Sequence, residues 1–391
     1  MKLLLLATKS PWPPIDGGRL LLLHTLEGLA AAGVRPTLVA PVDPRRFDLG
    51  RVARELSAWC EPRLVPAALN SPAVALLRSG LERLPLGLAR HALPAVRREV
   101  ARLAAAERFD LIHAEQLQAF PQAVAAAGVP VVLRAENVES DLWAANARLA
   151  RWPAGPLLAA EAVRLARHEG RAVEKAAATL ALSAEDAARL SALAGGRGRV
   201  GIVRAPFPRE LSAGSARLPG EPALVLLGSR GWRPNEDSVA WFLAEVWPAV
   251  RAALPGAVLH LFGAAPPGGP PPSSEIHPAP GDSAGAFAPG SVLIVPLRVA
   301  SGVRMKVLEA WARGVPVVGT PAALSGLEVR NGEEALVAAD PRAFAHALGR
   351  LHREPGLAAR LVEGGRRALA ERHDPADSTR ALLAAYARAI G

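Results

Sequence analysis

The stretch at residues 292–320, VLIVPLRVASGVRMKVLEAWARGVPVVGT, constrains what this chain can fold into more than any other. An apolar run at 292–295 leads into a turn, a helical pattern follows, and a second apolar run at 315–318 comes after Gly314. Short apolar runs flanking a segment of helical period describe a strand-helix-strand unit with its ligand-facing end at the first turn. Ser301 and Gly302 stand where the helix should begin. Unpaired backbone N–H groups and the positive helix end would face an anion there, and a diphosphate is the natural guest. Lys306, Glu309 and Arg313 fall on one helix face, and Val303, Val307, Ala310 and Gly314 form a stripe for the sheet. The polar edge is therefore expected to point away from the core, Lys306 neutralising phosphate and Glu309 accepting hydrogen bonds from vicinal ribose hydroxyls. The alternative is an ordinary i,i+3 ion pair on a solvated helix. Lysine usage favours the first reading, because only Lys2, Lys9, Lys175 and Lys306 among 46 basic residues are lysine.

Length and composition set the outer limits. A chain of 391 residues is long enough for two ordinary domains, and with no uninterrupted run of about 18 apolar residues nothing in it reads as a membrane span. MKLLLLATKS reads as a first strand rather than a signal peptide, since its apolar core is short and Pro11, Pro13 and Pro14 follow at once. A single cysteine, Cys60, excludes an internal disulfide and suits the cytoplasm. The net charge of +10 asks for an anionic partner, but aromatics are only 4% and are not interleaved with the basic residues, which argues against nucleic acid. Nucleotide diphosphates and anionic lipid headgroups remain. The nine histidines show no HExxH or similar spacing, so no metal is expected.

The first half opens as a βαβ unit: a strand at 3–6, a loop SPWPPIDGG, a helix at 19–32 closed by Gly33, and a strand at 35–40, without the GxGxxG spacing of dinucleotide binders. Gly17 and Gly18 precede the helix and leave room for a phosphate or sugar against the backbone, or merely make a turn. From 43 to 106 the pattern is mostly helical, with a short strand near Leu64. There Val96, Val100 and Leu103 oppose Arg97, Arg98 and Arg102, a basic amphipathic helix that either docks on anionic lipid or presents a solvated face. Strands at 110–113 and 129–133 both end in polar residues. Strand C-terminal ends collect ligands in open α/β sheets, so His113, Glu115, Glu136 and Asn137 become acceptor-side candidates. A satisfied buried histidine is the competing account of His113. A long helix at 157–178 and strands at 179–182 and 200–203 complete this half, and the Pro/Gly/Ser-rich stretch 205–222 suits a hinge. Beyond it come a strand at 223–227, a helix at 235–254 with Trp241, Phe242 and Trp247 inward, a strand at 258–262 and a proline-rich loop at 265–274 with no regular structure. A short strand at 335–337 and helices at 341–353, 356–371 and 375–389 end the chain.

SGVRMKVLEAWARGVPVV resembles the donor-site signature of group 1 (family 4) retaining glycosyltransferases, in the branch containing SGxRxKxLEA. RAENVESDLW resembles a stretch that often reads HNVES in that family, with Glu136 in the histidine position, and LLGSRGWRPNEDSVAWF resembles the segment that opens the second domain in one branch. Most members carry two glutamates separated by seven residues around the turn and helix; here the second is Glu309 and the first position is Ser301, which offers only a neutral hydrogen bond. The lysine that relatives supply from the 228–235 segment is missing. Arg304 and Lys306 are then the expected phosphate partners, with Arg230 or Arg233 as helpers, and Arg304 must act from an irregular first turn. A glutamate at 136 can serve as acid or base or accept a sugar hydroxyl.

The resemblance implies an α/β GT-B protein: two Rossmann-like domains with parallel sheets facing across an interdomain cleft. Residues 1–205 would form the acceptor-side domain, 206–372 the nucleotide-sugar-binding domain, and 373–391 a helix packed back on the first. It implies transfer of a sugar from a nucleoside diphosphate sugar to a hydroxyl of a glycan or lipid-linked glycan, with retention, no cofactor and no metal. Arg304, Lys306 and Glu136 would be catalytic, and Gly17, Gly18, Ser301, Gly302, Val303, Arg304, Lys306 and Glu309 would bind the donor. The expected setting is cell-envelope or exopolysaccharide synthesis, in the cytoplasm or peripheral on the inner face of the membrane. Two alternatives stay open: a nucleotide-sugar epimerase of the same fold, and a non-catalytic nucleotide-binding subunit of a polysaccharide assembly.

Overall fold

The computed structural model describes all residues except 127, 151, 215, 229–232, 264–265, 267–268 and 280–282. Apolar runs become buried strands and the segments between them become helices, in two units: Met1–Pro206 with Pro375–Gly391, and Phe207–Asp374. The first unit holds β1 (Leu3–Leu6), β2 (Thr37–Val42), β3 (Glu61–Pro66), β4 (Leu111–Glu115), β5 (Val131–Ala135), β6 (Ala178–Ala181) and β7 (Val200–Ile202), in the order β3-β2-β1-β4-β5-β6-β7. The second holds β8 (Ala223–Leu227), β9 (Val258–Phe262), β10 (Ser274–His277), β11 (Ser291–Val295), β12 (Val317–Gly319) and β13 (Leu336–Val337), in the order β10-β9-β8-β11-β12-β13. All pairings within both sheets are parallel. Each sheet winds outward in both directions from its first strand, so each has one switch point, between β1 and β4 or between β8 and β11. Ligands of open α/β sheets bind beyond the strand C-termini at such points.

The central strands read as unbroken apolar runs because helices cover both their faces. In the first unit Leu4, Leu6, Ile112 and Leu133 pack with Val96, Val100 and Leu103 of the helix Pro94–Ala106. The C-terminal helix Pro375–Ile390 belongs to this unit, where Leu382, Ala385 and Tyr386 are buried with Leu3, Leu29 and Leu111. In the second unit Trp241, Phe242 and Trp247 point inward, against Leu224, Leu259 and Phe344.

In three places the structure adds local detail to the sequence reading. The helix read at 235–254 is three segments, Arg233–Trp241, a π turn Phe242–Val246, and Trp247–Ala253. Pro248 has no N–H to continue the ladder, and the wider turn before it absorbs the lost bond. Of the loop read at 265–274, residues 265, 267 and 268 lie outside the described residues and only Ser274 belongs to a strand; the edge strand β10 that it starts has a sequence, Ser-Glu-Ile-His, with no apolar run to announce it. The stretch read as a hinge is bonded along the second unit: Phe207 is buried and its N–H donates to the His373 carbonyl (2.8 Å), while Leu211 and Gly214 donate to Ala312 and Phe287.

Gly314 is not part of a buried stripe; it takes φ +72° just past the helix Met305–Ala312 and ends it in the left-handed conformation. Behind that helix, Gly364 and Gly365 let the helix Leu357–Arg372 lie against the Glu333 carbonyl and the Trp311 ring; a Cβ on Gly364 would stand 2.1 Å from that carbonyl oxygen. Gly364→Ala is therefore expected to destabilise by about 1–3 kcal/mol, read as a lower thermal midpoint, although glycine to alanine in a helix interior ordinarily gains about 1 kcal/mol. Among the described residues no helix is long and apolar enough to cross a membrane.

Candidate functional site

Beyond the C-terminal ends of β8 and β11 the chain after β11 forms an irregular turn and then the helix Met305–Ala312. Gly302 takes φ +74°, and Arg304, not Ser301, is the residue that caps the helix. The free helix-end N–H groups thus belong to residues from Met305 onward, a correction to the expectation for Ser301 and Gly302. The side chain of Arg304 is buried and folds back to donate to the Ser301 carbonyl. Val303 is buried beside it.

Lys306 is half-buried, and its Nζ donates to the carbonyl of Leu227 (2.7 Å), the last residue of β8. Its ammonium is thus held at the switch point of the second sheet. Burial, and then the Arg304 charge, pull the Lys306 pKa down from near 10.5 to about 8. Glu309 pairs not with Lys306 but with Arg313 (2.9 Å), one turn on, and also accepts from the Ser283 hydroxyl; both bonds fall on Oε1. Its carboxylate is buried, so the polar edge does not point to bulk solvent as the helix period suggested. Arg233 is exposed at the start of its helix, and Arg230 lies outside the described residues.

In the first unit a small cavity opens beyond β1 and β4, lined among others by Thr8, Lys9, Gly18, Arg19, Gln116 and Glu136. Gly17 and Gly18 are the first two residues of the helix Gly17–Ala31 rather than a turn before it, and Asp16 caps that helix through the Arg19 N–H (3.0 Å). The room above Gly18 is taken by a protein group: a Cβ there would lie 2.9 Å from Glu136 Oε2. Lys9 reaches across to Asp16 (2.6 Å), and Thr8 donates to Gln116 Oε1 (2.6 Å). Gln116 holds φ +72°, a strained conformation for a side-chain-bearing residue, next to the cavity.

Glu136 and Glu115 hydrogen-bond to each other. Burial, and then the charge of Glu115, raise the Glu136 pKa well above the carboxylate range. Burial works in the same direction on Glu115, but Arg134 and the bonds from His113 and Glu136 outweigh it and hold its pKa below the usual value. The pair therefore keeps one proton, resident on Glu136, at neutral pH. Arg134 is fully buried, with Nε 3.9 Å from Glu115 Oε1 and Nη1 donating to Thr25 (2.7 Å).

His113 does not reach the cavity. It is fully buried, with Nδ1 2.5 Å from the Tyr386 hydroxyl and Nε2 2.8 Å from Glu115 Oε2, a tie between β4 and the C-terminal helix. Asn137 turns to the Glu139 carboxyl and does not line the cavity. Residues that sequence reasoning passed over are Thr8, Lys9, Gln116 and Ser283. Lys9 had the same signal as Lys306, a lysine in an arginine-dominated chain, and it follows a strand end.

A family model described as Glycosyl transferases group 1 matches residues 221–354, and one described as Glycosyltransferase Family 4 matches residues 15–205. No curated protein matches the chain. Solved structures of similar fold include sucrose-phosphate synthase from Thermosynechococcus elongatus, 16% identical over 99% of both chains with TM-score 0.73. Another is Anabaena HepE in complex with UDP-glucose, 14% identical over 99% of this chain and 100% of that one, TM-score 0.63. A third is a mutant of S. aureus TarM in complex with UDP, α-GlcNAc-glycerol and fondaparinux, 7% identical over 99% and 100%, TM-score 0.68. At such identities these structures speak for the fold, which is that of GT-B glycosyltransferases. The two family models between them take in most of both units, and the chain belongs to the group 1 glycosyltransferases.

Proposed function

We propose that the chain moves a sugar from a nucleoside diphosphate sugar to a hydroxyl of a glycan or lipid-linked glycan, with retention of anomeric configuration, in cell-envelope or exopolysaccharide synthesis. The observation that carries this reading is the Lys306 ammonium. It sits half-buried at a switch point, its hydrogen bond goes to a backbone carbonyl, and among the described residues the charge that bears on it is that of Arg304. An ammonium held in a desolvated place is costly as a cation, and an anion that joins it lowers that cost. A diphosphate supplies that anion, and its charge grows as the glycosidic bond breaks, so Arg304, Lys306 and the backbone N–H groups of the helix start stabilise the transition state more than the bound donor. Glu309, with Oε1 engaged by Ser283 and Arg313, offers Oε2 to a ribose hydroxyl. The UDP and UDP-glucose bound by the Anabaena relative support a nucleotide-sugar donor. In the first unit Glu136 and Gln116 receive the acceptor hydroxyl.

A lipid-linked acceptor is supported by the helix Pro72–Leu81, which exposes Leu76, Leu77 and Leu81 with Arg83 just beyond it, although its Arg78 pairs with Glu82. The helix Pro94–Ala106, the membrane-facing candidate from sequence, is less suited: its Val96, Val100 and Leu103 are buried, and Arg97 pairs with Glu82 and Arg102 with Glu99.

Incubation with a panel of nucleotide sugars, with released nucleotide and sugar read by mass spectrometry, tests the proposal. One donor is expected to turn over, slowly to water and faster when a hydroxyl acceptor is added. A new monosaccharide formed with no acceptor would instead identify an epimerase, and binding without turnover of any donor would identify a non-catalytic subunit.

A further inference from the structure

We propose that His260, Glu275 and His277 form a transition-metal site, suited first to Zn²⁺, at the edge of the second sheet. Glu275 of the edge strand β10 stands opposite His260 of β9, and His277, two residues on, shares its face. Three atoms converge: His260 Nδ1 is 3.0 Å from His277 Nε2, and Glu275 Oε2 is 3.6 Å from the first and 3.7 Å from the second. A triangle with those edges has a circumradius of about 2.0 Å, so an ion slightly out of its plane can sit at about 2.1 Å from all three atoms, the bond length zinc takes with nitrogen and carboxylate oxygen.

The surroundings prepare the ligands. His260 is fully buried and its Nε2–H donates to the Pro219 carbonyl (2.8 Å), which fixes the tautomer and aims the Nδ1 lone pair at the other two groups. Metal-binding histidines are commonly oriented by such a bond to a carbonyl. The His277 ring is stacked on Phe262 at 4.3 Å, which sets its plane. Glu275 is exposed, leaving a fourth position open to water. Without an ion one proton lies between His260 Nδ1 and His277 Nε2, and ligation by Nε2 requires His277 to carry its proton on Nδ1 instead. The site would fasten the polar edge strand, and the Pro219 segment behind His260, onto β9. None of the residues assigned to sugar transfer belongs to it.

The test uses the full chain, without a polyhistidine tag, stripped with a chelator and titrated with Co²⁺ while visible absorption is followed, then displaced with Zn²⁺. One equivalent per chain is expected, with the intense bands of a four-coordinate ion, and Zn²⁺ is expected to raise the thermal midpoint. Glu275→Gln should weaken Zn²⁺ at least about tenfold and His277→Gln about a hundredfold or more. Both positions lie on the accessible side, so the fold should persist; should His277→Gln fail to fold, Glu275→Gln alone decides. No stoichiometric binding of Co²⁺ or Zn²⁺ by the parent chain, or unchanged affinity in the variants that fold, would overturn the proposal.

Discussion

Lys306→Met is expected to cut sugar transfer about a thousandfold while making the second unit more stable. The two effects have one origin. The fold holds the Lys306 pKa at about 8, below its ordinary value near 10.5, so at neutral pH the folded chain carries a proton the site disfavours. For a lysine with a depressed folded pKa the sign is fixed: stability is lowest below about pH 8 and recovers as pH rises from there towards the unfolded value. Removing the ammonium relieves a penalty on the order of 2–3 kcal/mol, less the bond to the Leu227 carbonyl. A rise of several degrees in the midpoint is expected at pH 7, shrinking to nothing near pH 10.

Donor binding should show the opposite trend. A diphosphate on Lys306 raises its pKa and draws in a proton, so affinity for the nucleoside diphosphate, and for inorganic pyrophosphate as a base-independent probe, should fall as pH climbs through about 8. In Lys306→Met the affinity should drop by about a hundredfold and lose that slope, with transfer down about a thousandfold, the scale expected when one preorganised charge partner of a leaving group is removed. Calorimetry across pH 6–10, beside thermal scans, reads both. A variant that binds pyrophosphate like the parent chain would refute the assignment of Lys306 to phosphate.

How far the chain could be read from sequence follows from where its signals are local. The strands at the sheet centres are continuous apolar runs, and the unit from β11 through β12 was visible because a buried strand, a helix of clear period and Gly314 follow one another within thirty residues. The edge strand β10 was invisible, since an edge with one exposed face needs no apolar run, and the metal-binding geometry there went unseen with it. Helical period gave Lys306 and Glu309 the same face, but only the packing of Ser283 and Arg313 around the carboxylate decides that Glu309 is buried and paired away from the lysine. His113 and Glu136 were named together as strand-end residues. Their separation into a closed structural tie and a cavity wall depends on Tyr386, 273 residues beyond His113, which no local pattern reports.

Glu136→Gln is expected to slow transfer by about a hundredfold or more without changing nucleotide affinity, because Glu136 and the diphosphate partners Arg304 and Lys306 lie on different units. Glu136 keeps a proton at neutral pH while Glu115, backed by Arg134, does not, so the pair can accept the proton of an acceptor hydroxyl only as Glu136 ionises. Transfer by the parent chain should therefore rise with pH through the raised Glu136 pKa and fall again as Lys306 loses its proton. Glu136→Gln should remove the rising limb, and Lys306→Met the dependence of donor binding on the falling one. Stability gives an independent reading. A carboxyl whose folded pKa is raised contributes stability that is fully present below its unfolded value and is lost as pH passes the folded value. The first unit should thus soften in alkali, whereas the glutamine, which still donates to Glu115, should not: the two midpoints should coincide near pH 5 and separate by several degrees by pH 9. A glutamine variant that transfers sugar at the parent rate would remove Glu136 from the chemistry. A midpoint difference independent of pH would show that its proton is not held by the fold.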